Sequence, residues 1–292
     1  MTQITAKLVA ELRGRTGAGM MDCKKALEET AGDLEKAVDL LRAKGIAKAE
    51  KRAGRQASEG QIVTLISPDG SVGTIVEVNC ETDFVGRNDE FRALTQGLAE
   101  HVAQDASVSG VVVVGTEGAY LSTPHPTGGT VGEVVKAASA KTGENVVMRR
   151  IARFASEGGT VGAYLHHNGK VGVLVEIAGG SGDAVMALAK SVAEHVAAGV
   201  PAPAVAVDKD GVPVELVERE KAIFVEQAAS SGKPANIIEK MVSGRIDKFF
   251  AEITLINQPW VRDDAKTIGQ LVKEAGPGLR ITRFARFQMG EE

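Results

Sequence analysis

Cysteine is nearly absent. Cys23 and Cys80 are the two in 292 residues, and no Cys-x-x-Cys pair occurs. That usage argues against a zinc site and a disulfide framework. Aromatic residues are 4% of the chain, with one tryptophan and two tyrosines. Such a supply is thin for a surface that stacks bases or grips a large planar cofactor. No apolar run is long enough to span a bilayer, and the opening MTQITAKLVAELRG is amphipathic, without the apolar centre of a signal peptide. Charge of one sign is not in excess either, since the formal net charge is −4. These absences predict a soluble, cytoplasmic protein with no membrane segment, no metal, no cofactor and no direct nucleic-acid role.

What is present is ordinary in bulk and uneven in distribution. Apolar residues are 43% and charged residues 25%, the balance of a globular protein. The length suits about two domains. Residues 1–58 carry twelve Lys/Arg against eight Asp/Glu, which implies a partner contacting that end. From Arg42 to Arg55 there are six basic residues and one acid. That segment reads as a solvated helix extension and linker rather than a phosphate-binding patch.

Residues 1–46 predict three short helices. Ile4, Leu8, Val9 and Leu12 share one face, Met20 to Glu29 form a second helix, and Leu34, Ala37, Val38 and Leu41 stripe a third that Gly45 should stop. The run GRTGAGMMDCKK is not a phosphate loop, because Met20-Met21 stand where Lys and Ser/Thr are needed and a helix precedes it. The two methionines either fill a small core or present an adaptable contact surface.

The remainder contains a duplication. Residues 60–78 match 159–177, AEHVA recurs at 99–103 and 193–197, TVGEVVK (130–136) matches TIGQLVK (267–273), and RRIARFA (149–155) matches LRITRFA (279–285). Hairpin, helix, helix and strand follow in the same order twice, which predicts two homologous α+β subdomains. The offset falls from 99 to 94 between the first two matches, so the first copy is five residues longer there. The excess lies in NCETDFVGRN, where the second copy has only AGGSGD. The subdomain closes without Thr82-Asp83-Phe84-Val85. That favours a solvent-facing loop inserted into a partner over a hydrophobic staple beneath the next helix.

The second copy carries about 43 additional residues, mostly within 212–253. Val214, Val217, Phe224 and Ala228 mark one helix; Ile238, Val242, Phe249 and Ile253 mark another, with Gly232 and Pro234 between. This predicts an inserted antiparallel helical hairpin. Its apolar seam serves either a homodimer or the hairpin's own subdomain.

No catalytic constellation stands out. Cys80 follows a strand as a nucleophile might, but its nearest candidate base, His101, recurs as His195 in the copy that lacks the cysteine. His166-His167 has no third ligand at metal-site spacing. The pattern fits a binding or regulatory protein. A pure dimeric scaffold is the alternative, although it leaves the Phe84 loop without a use.

Four stretches carry a resemblance: ELRGRTGAGMMDCKKALEE (11–29), EVNCETDFVGRNDEF (77–91), SGKPANIIEKMVSGRIDKF (231–249) and QPWVRDDAKTIGQLVKE (258–274). The chain resembles the bacterial elongation factor Ts family, whose members promote GDP release from elongation factor Tu. The resemblance implies an α+β architecture with an N-terminal three-helix ubiquitin-associated-like domain and basic linker at 1–55. It also implies core subdomains at 56–157 and at 158–207 with 258–292, and a helical dimerisation module at 208–257. It makes Thr82, Asp83, Phe84 and Val85 the loop that enters elongation factor Tu, with Phe84 as wedge and Asp83 disturbing the Mg²⁺ side. Met20, Met21 and Arg13 would be contacts of the N-terminal domain. His166 would be a contact on the second hairpin, at a position that reads His166-His167 here.

Overall fold

The computed structural model describes residues 4–229 and 234–291. Helices and strands are mixed in an α+β arrangement, and the chain divides into two compact units. One holds residues 1–63, 76–152 and 288–292; the other holds 64–75 and 153–287.

The first unit opens with α1 (Ala6–Thr16), α2 (Met20–Glu29) and α3 (Leu34–Glu50). Thr5 caps α1 by accepting from the Leu8 N–H, and Gly17, at φ 66°, ends it with its own N–H on the Arg13 carbonyl. Asp33 caps α3 through the Lys36 N–H. Val9, Leu12, Cys23, Ala26, Leu27 and Ala37 are the buried core of the three helices, with Ile4, Leu8, Leu34, Val38 and Leu41 against it. These include every apolar position singled out by the helical spacing of the first and third helices.

Gly45 does not stop the third helix, as its residue type led one to expect; α3 continues to Glu50. The reason is packing. A Cβ at Gly45 would lie 2.9 Å from the Ala140 Cβ of a later helix. Glycine admits that close approach, at the roughly 1 kcal/mol it costs in a helix interior.

β1 (Glu59–Ile66) and β2 (Val72–Cys80) follow as a hairpin. Then come the single turn α4 (Asp83–Gly86), α5 (Asp89–Gln104), β3 (Gly110–Val113), α6 (Val131–Thr142) and β4 (Val147–Ala155). The strand order is β1-β2-β4-β3. β2 is interior and is buried throughout from Gly73 to Cys80, the polar Thr74, Glu77 and Asn79 included. α5 buries Phe91, Thr95, Leu98, Ala99 and Val102, one stripe at helical spacing.

The second unit pairs β5 (Gly159–Leu165) with β6 (Val171–Ala178), antiparallel from Gly159↔Ala178 to Leu165↔Gly172. It continues through α7 (Asp183–Ala198), α8 (Val214–Ala229), α9 (Ala235–Ile253), the short ribbon β7 (Pro259–Trp260) and β8 (Asp263–Thr267), α10 (Ile268–Ala275) and β9 (Arg280–Gln288). The sheet order is β5-β6-β9. Val173, Val175 and Ile177 of β6 join Leu188, Val192 and Val196 of α7, with Leu255, Ile268 and Ile281, in one core. A Cβ on Gly162 would stand 2.6 Å from the Ala189 Cβ, so this glycine sets how closely α7 lies on β5.

α8 and α9 pack on each other. Ala228, Val242 and Ile253 are buried, and Leu216, Val217, Phe249 and Phe250 pack around Ala206, Val212 and Ile253. Val214 is not part of that seam: it is 65% exposed, at the first residue of α8, where Val212 and Leu216 supply the apolar contacts instead. Pro234 directly precedes α9, and Gly232 lies outside the described residues.

Two local arrangements recur. Thr130 with Glu133 and Thr267 with Gln270 each form a reciprocal capping box at the start of α6 and α10. A Cβ on Gly132 would meet the Leu121 carbonyl oxygen at 3.0 Å, and one on Gly269 would meet that of Ile256 at 2.9 Å. In each case the glycine lets the first turn of a helix sit on a 3-10 turn.

The two histidines of the repeated AEHVA differ. His195 is 1% exposed, takes the Val261 N–H on Nδ1 at 3.2 Å, and so donates from Nε2 to Gln258 Oε1 at 3.0 Å. Gln258 passes its own N–H groups to the Ala202 and Glu252 carbonyls. His101 Nε2 is buried without a hydrogen-bond partner. Burial lowers the His195 pKa from its ordinary 6.5, although the Gln258 hydrogen bond opposes the shift. The unfolded chain therefore binds a proton that the folded one refuses. Stability from this group is complete above about pH 6.5 and is lost as the pH falls below it. His195→Gln should be destabilising near neutrality, with a deficit against the parent protein that shrinks between about pH 7 and about pH 5 in urea unfolding. A deficit independent of pH would contradict this assignment.

Candidate functional site

β2 ends at Cys80, and α5 begins after Asn88, whose side chain accepts from the Glu90 N–H at 2.8 Å. The connection is α4. Thr82, in extended backbone, caps it by accepting from the Val85 N–H at 3.4 Å. Val85 is half-buried and Gly86 is buried, but Phe84 is 85% exposed. The phenyl ring therefore does not staple the following helix. Full burial of such a side chain stabilises by about 1.5–3 kcal/mol, and here that free energy is left unused.

The turn beneath the ring is tied down on several sides. Glu144 Oε2 accepts from the Glu81 and Thr82 N–H groups, both at 3.0 Å, while Oε1 accepts from the Thr82 hydroxyl at 2.5 Å. Glu81 Oε1 in return accepts from the Asn145 N–H at 2.6 Å. The Asn145 amide donates to the Arg55 carbonyl at 2.7 Å, and Arg55 lies 3.5 Å from the Glu81 carboxylate. Gly86 rests on Gly60: a Cβ at Gly86 would meet the Gly60 Cα and carbonyl oxygen at 3.2 Å. Gly60 has φ 137°, and a Cβ there would reach 2.1 Å from the Val78 carbonyl oxygen. Asp83 pairs with Arg87 at 3.1 Å, four residues on, an exposed pair of small energetic weight.

Cys80 is not a nucleophile. Burial pushes its thiol up to about 12, with the Glu144 and Glu59 charges adding to the effect. A thiol that keeps its proton at neutral pH does not attack; this one donates to the Thr82 carbonyl at 3.1 Å. Among the described residues, no group of three or more His, Cys, Asp or Glu side chains is placed to hold a metal. No described helix is long and apolar enough to cross a membrane.

The same unit displays a second apolar group. Met20 and Met21 open α2 and are 56% and 63% exposed, so neither fills the three-helix core. Gly19 precedes them without a side-chain cap. Cys23 Sγ, held 3.6 Å from the Ala18 carbonyl, braces the turn that presents them. Arg13 is exposed in the last turn of α1. His166 belongs to the other unit, at the β5–β6 turn, where its N–H donates to the Val171 carbonyl at 2.8 Å. It is half-buried with Nδ1 3.0 Å from the Tyr164 hydroxyl, and His167 is exposed with its ring 4.2 Å from that of His166.

Sequence reading places Thr82 to Val85 on one turn but does not reach the groups beneath them. Glu144 is 62 residues from Thr82, and no periodicity links the two. Gly60 and Gly86 look like ordinary turn glycines until their contact is seen.

Comparison with known proteins gives a consistent result. The family model for elongation factor TS matches residues 81–291. The elongation factor Ts of Thioalkalivibrio sulfidiphilus is 49% identical over 291 residues, covering 99% of this chain and 92% of that protein. That of Methylococcus capsulatus is 48% identical over 288 residues, with the same coverage. That of a Nostoc species is 45% identical over 302 residues, covering 100% of this chain and 94% of that protein.

Proposed function

The chain belongs to the elongation factor Ts family, and on that premise we propose that it binds elongation factor Tu in the cytoplasm and promotes GDP release during translation elongation. A translation elongation factor of this kind is a nucleotide exchange factor, not an enzyme of covalent chemistry. The observation that carries the reading is the exposure of Phe84, 85%, on a turn that is itself fastened at both ends.

The mechanism is a wedge. In a GTPase, Mg²⁺ and the phosphate-loop contacts supply much of the grip on the nucleotide. Phe84 enters between helices of the partner's nucleotide domain, and Asp83 disturbs the Mg²⁺ side. Exchange factor and nucleotide then weaken each other's binding to the same extent. A thousandfold faster release requires about 4 kcal/mol at the barrier. Burial of one Phe side chain provides about 1.5–3 kcal/mol, so further contacts must contribute. Met20, Met21 and Arg13 are exposed on α1 and α2 and suited to add them. On the second hairpin His166 is the proposed contact, with the exposed ring of His167 beside it.

The modular reading supports this role. We take residues 1–55 as the ubiquitin-associated-like domain and linker, 56–157 and 158–207 with 258–292 as duplicated core subdomains, and 208–257 as the dimerisation hairpin. The recurring capping boxes and helix-start glycines favour duplication. Ile223, Val225 and Ile237 are 36%, 44% and 42% exposed on α8 and α9 and offer apolar surface to a second copy. Replacing Val225 and Ile237 with glutamate should convert a dimer to a monomer in light scattering. A parent protein that is already monomeric would remove the dimer proposal.

The exchange role is tested by release of a fluorescent GDP from elongation factor Tu. Substoichiometric amounts of this protein should accelerate release strongly. No acceleration with both proteins folded would overturn the role and favour the dimeric scaffold.

A further inference from the structure

We propose that Glu144 is the positioning residue of the Phe84 loop: it fixes the loop in its projecting form before the partner arrives, and thereby sets the exchange rate without touching the partner. The functional part of this inference rests on the exchange role proposed above; the structural part does not.

The geometry is specific to this carboxylate. Its two oxygens take three donors from two consecutive residues, the Glu81 N–H, the Thr82 N–H and the Thr82 hydroxyl, at 3.0, 3.0 and 2.5 Å. Adjacent N–H groups do not point the same way in a strand, where they alternate. Their convergence on one oxygen marks the place where β2 leaves the sheet. The Thr82 hydroxyl proton is committed to Glu144, which leaves an oxygen lone pair for the Val85 N–H and so sets the start of α4. One carboxylate thereby determines both where the strand ends and which way the next turn faces.

Glu144 is itself held. It follows Gly143, the left-handed residue that ends α6 at φ 77°, and its N–H donates to the Thr142 hydroxyl at 3.3 Å. The neighbouring Asn145 N–H is taken by Glu81 Oε1. The two segments thus exchange carboxylate-to-amide hydrogen bonds in both directions. Charge-assisted bonds of this type are stronger than neutral ones, and α6 provides a rigid support for them. A loop ordered before encounter carries no ordering cost when the ring is inserted, and because other contacts supply most of the docking, that gain falls on the release barrier rather than on affinity.

Two variants and two readouts test the proposal. Glu144→Ala removes all three acceptor contacts; Glu144→Gln keeps one acceptor oxygen and leaves the overall shape. In the free protein, amide hydrogen exchange at Glu81 and Thr82 should be slow for the parent, intermediate for Glu144→Gln and at least about tenfold faster for Glu144→Ala. In the GDP-release assay the maximal rate should fall about tenfold for Glu144→Ala, with half-saturation changed by less than about twofold and Glu144→Gln between the two. Unchanged amide protection, or lost protection with an unchanged maximal rate, would overturn the proposal. So would an equal loss in rate and half-saturation. If the parent protein itself does not accelerate release, the exchange role falls and the rate-setting part of the proposal falls with it. The amide data would then still decide whether Glu144 orders the loop.

Discussion

An apolar ring kept in water needs a rigid mount, and the local structure around residues 80–88 follows from that requirement. A flexible loop carrying Phe84 would fold the ring back onto the nearest apolar surface, since full burial is worth about 1.5–3 kcal/mol. The chain prevents this with short-range constraints. A single helical turn aims the ring outward, and Glu144 fastens its start. The Gly86–Gly60 contact fastens its end. Neither glycine tolerates a side chain without displacing backbone. The mount is therefore made of backbone contacts and charge-assisted hydrogen bonds rather than of hydrophobic packing that would compete for the ring.

The same division between rigid support and exposed contact recurs at the N-terminus. Three short helices bury a minimal core of small and medium apolar residues. A core this small has every reason to use two methionines, yet Met20 and Met21 remain outside it. Methionine adapts its shape to a partner at little cost, which suits the contact role proposed for this pair. Phe84 and the methionine pair thus differ in kind: one is stiff and aimed, the other compliant. In the proposed role the stiff element transmits displacement, and the compliant ones contribute affinity.

Much of this was legible in the sequence where the signal is local. The spacing of Leu34, Ala37, Val38 and Leu41 announces α3, and the matched stretches TVGEVVK and TIGQLVK fall on α6 and α10. The repeat made the excess residues at 80–88 visible, because a second copy without them served as an internal reference. What failed depended on distance or on neighbours. Gly45 was read as a stop because glycine ends helices and also permits close helix contacts, and only the Ala140 methyl distinguishes the two. Val214 fits the helical spacing but falls at an end, where Val212 and Leu216 supply the apolar contacts. The Glu144 clamp joins segments 62 residues apart and has no sequence signal at all. The exposure of Met20 and Met21 was undecidable from pattern, since a core and a contact surface require the same residue type.

The central claim is that Phe84 acts as a lever and not merely as an anchor, and one comparison tests it most directly. Phe84→Ala should be titrated in the GDP-release assay alongside the affinity of the variant for nucleotide-free elongation factor Tu. A lever predicts a fall in maximal rate of about a hundredfold with docking weakened by less than about tenfold, because the other contacts remain. Equal losses in rate and in docking would contradict the account and reduce Phe84 to an anchor.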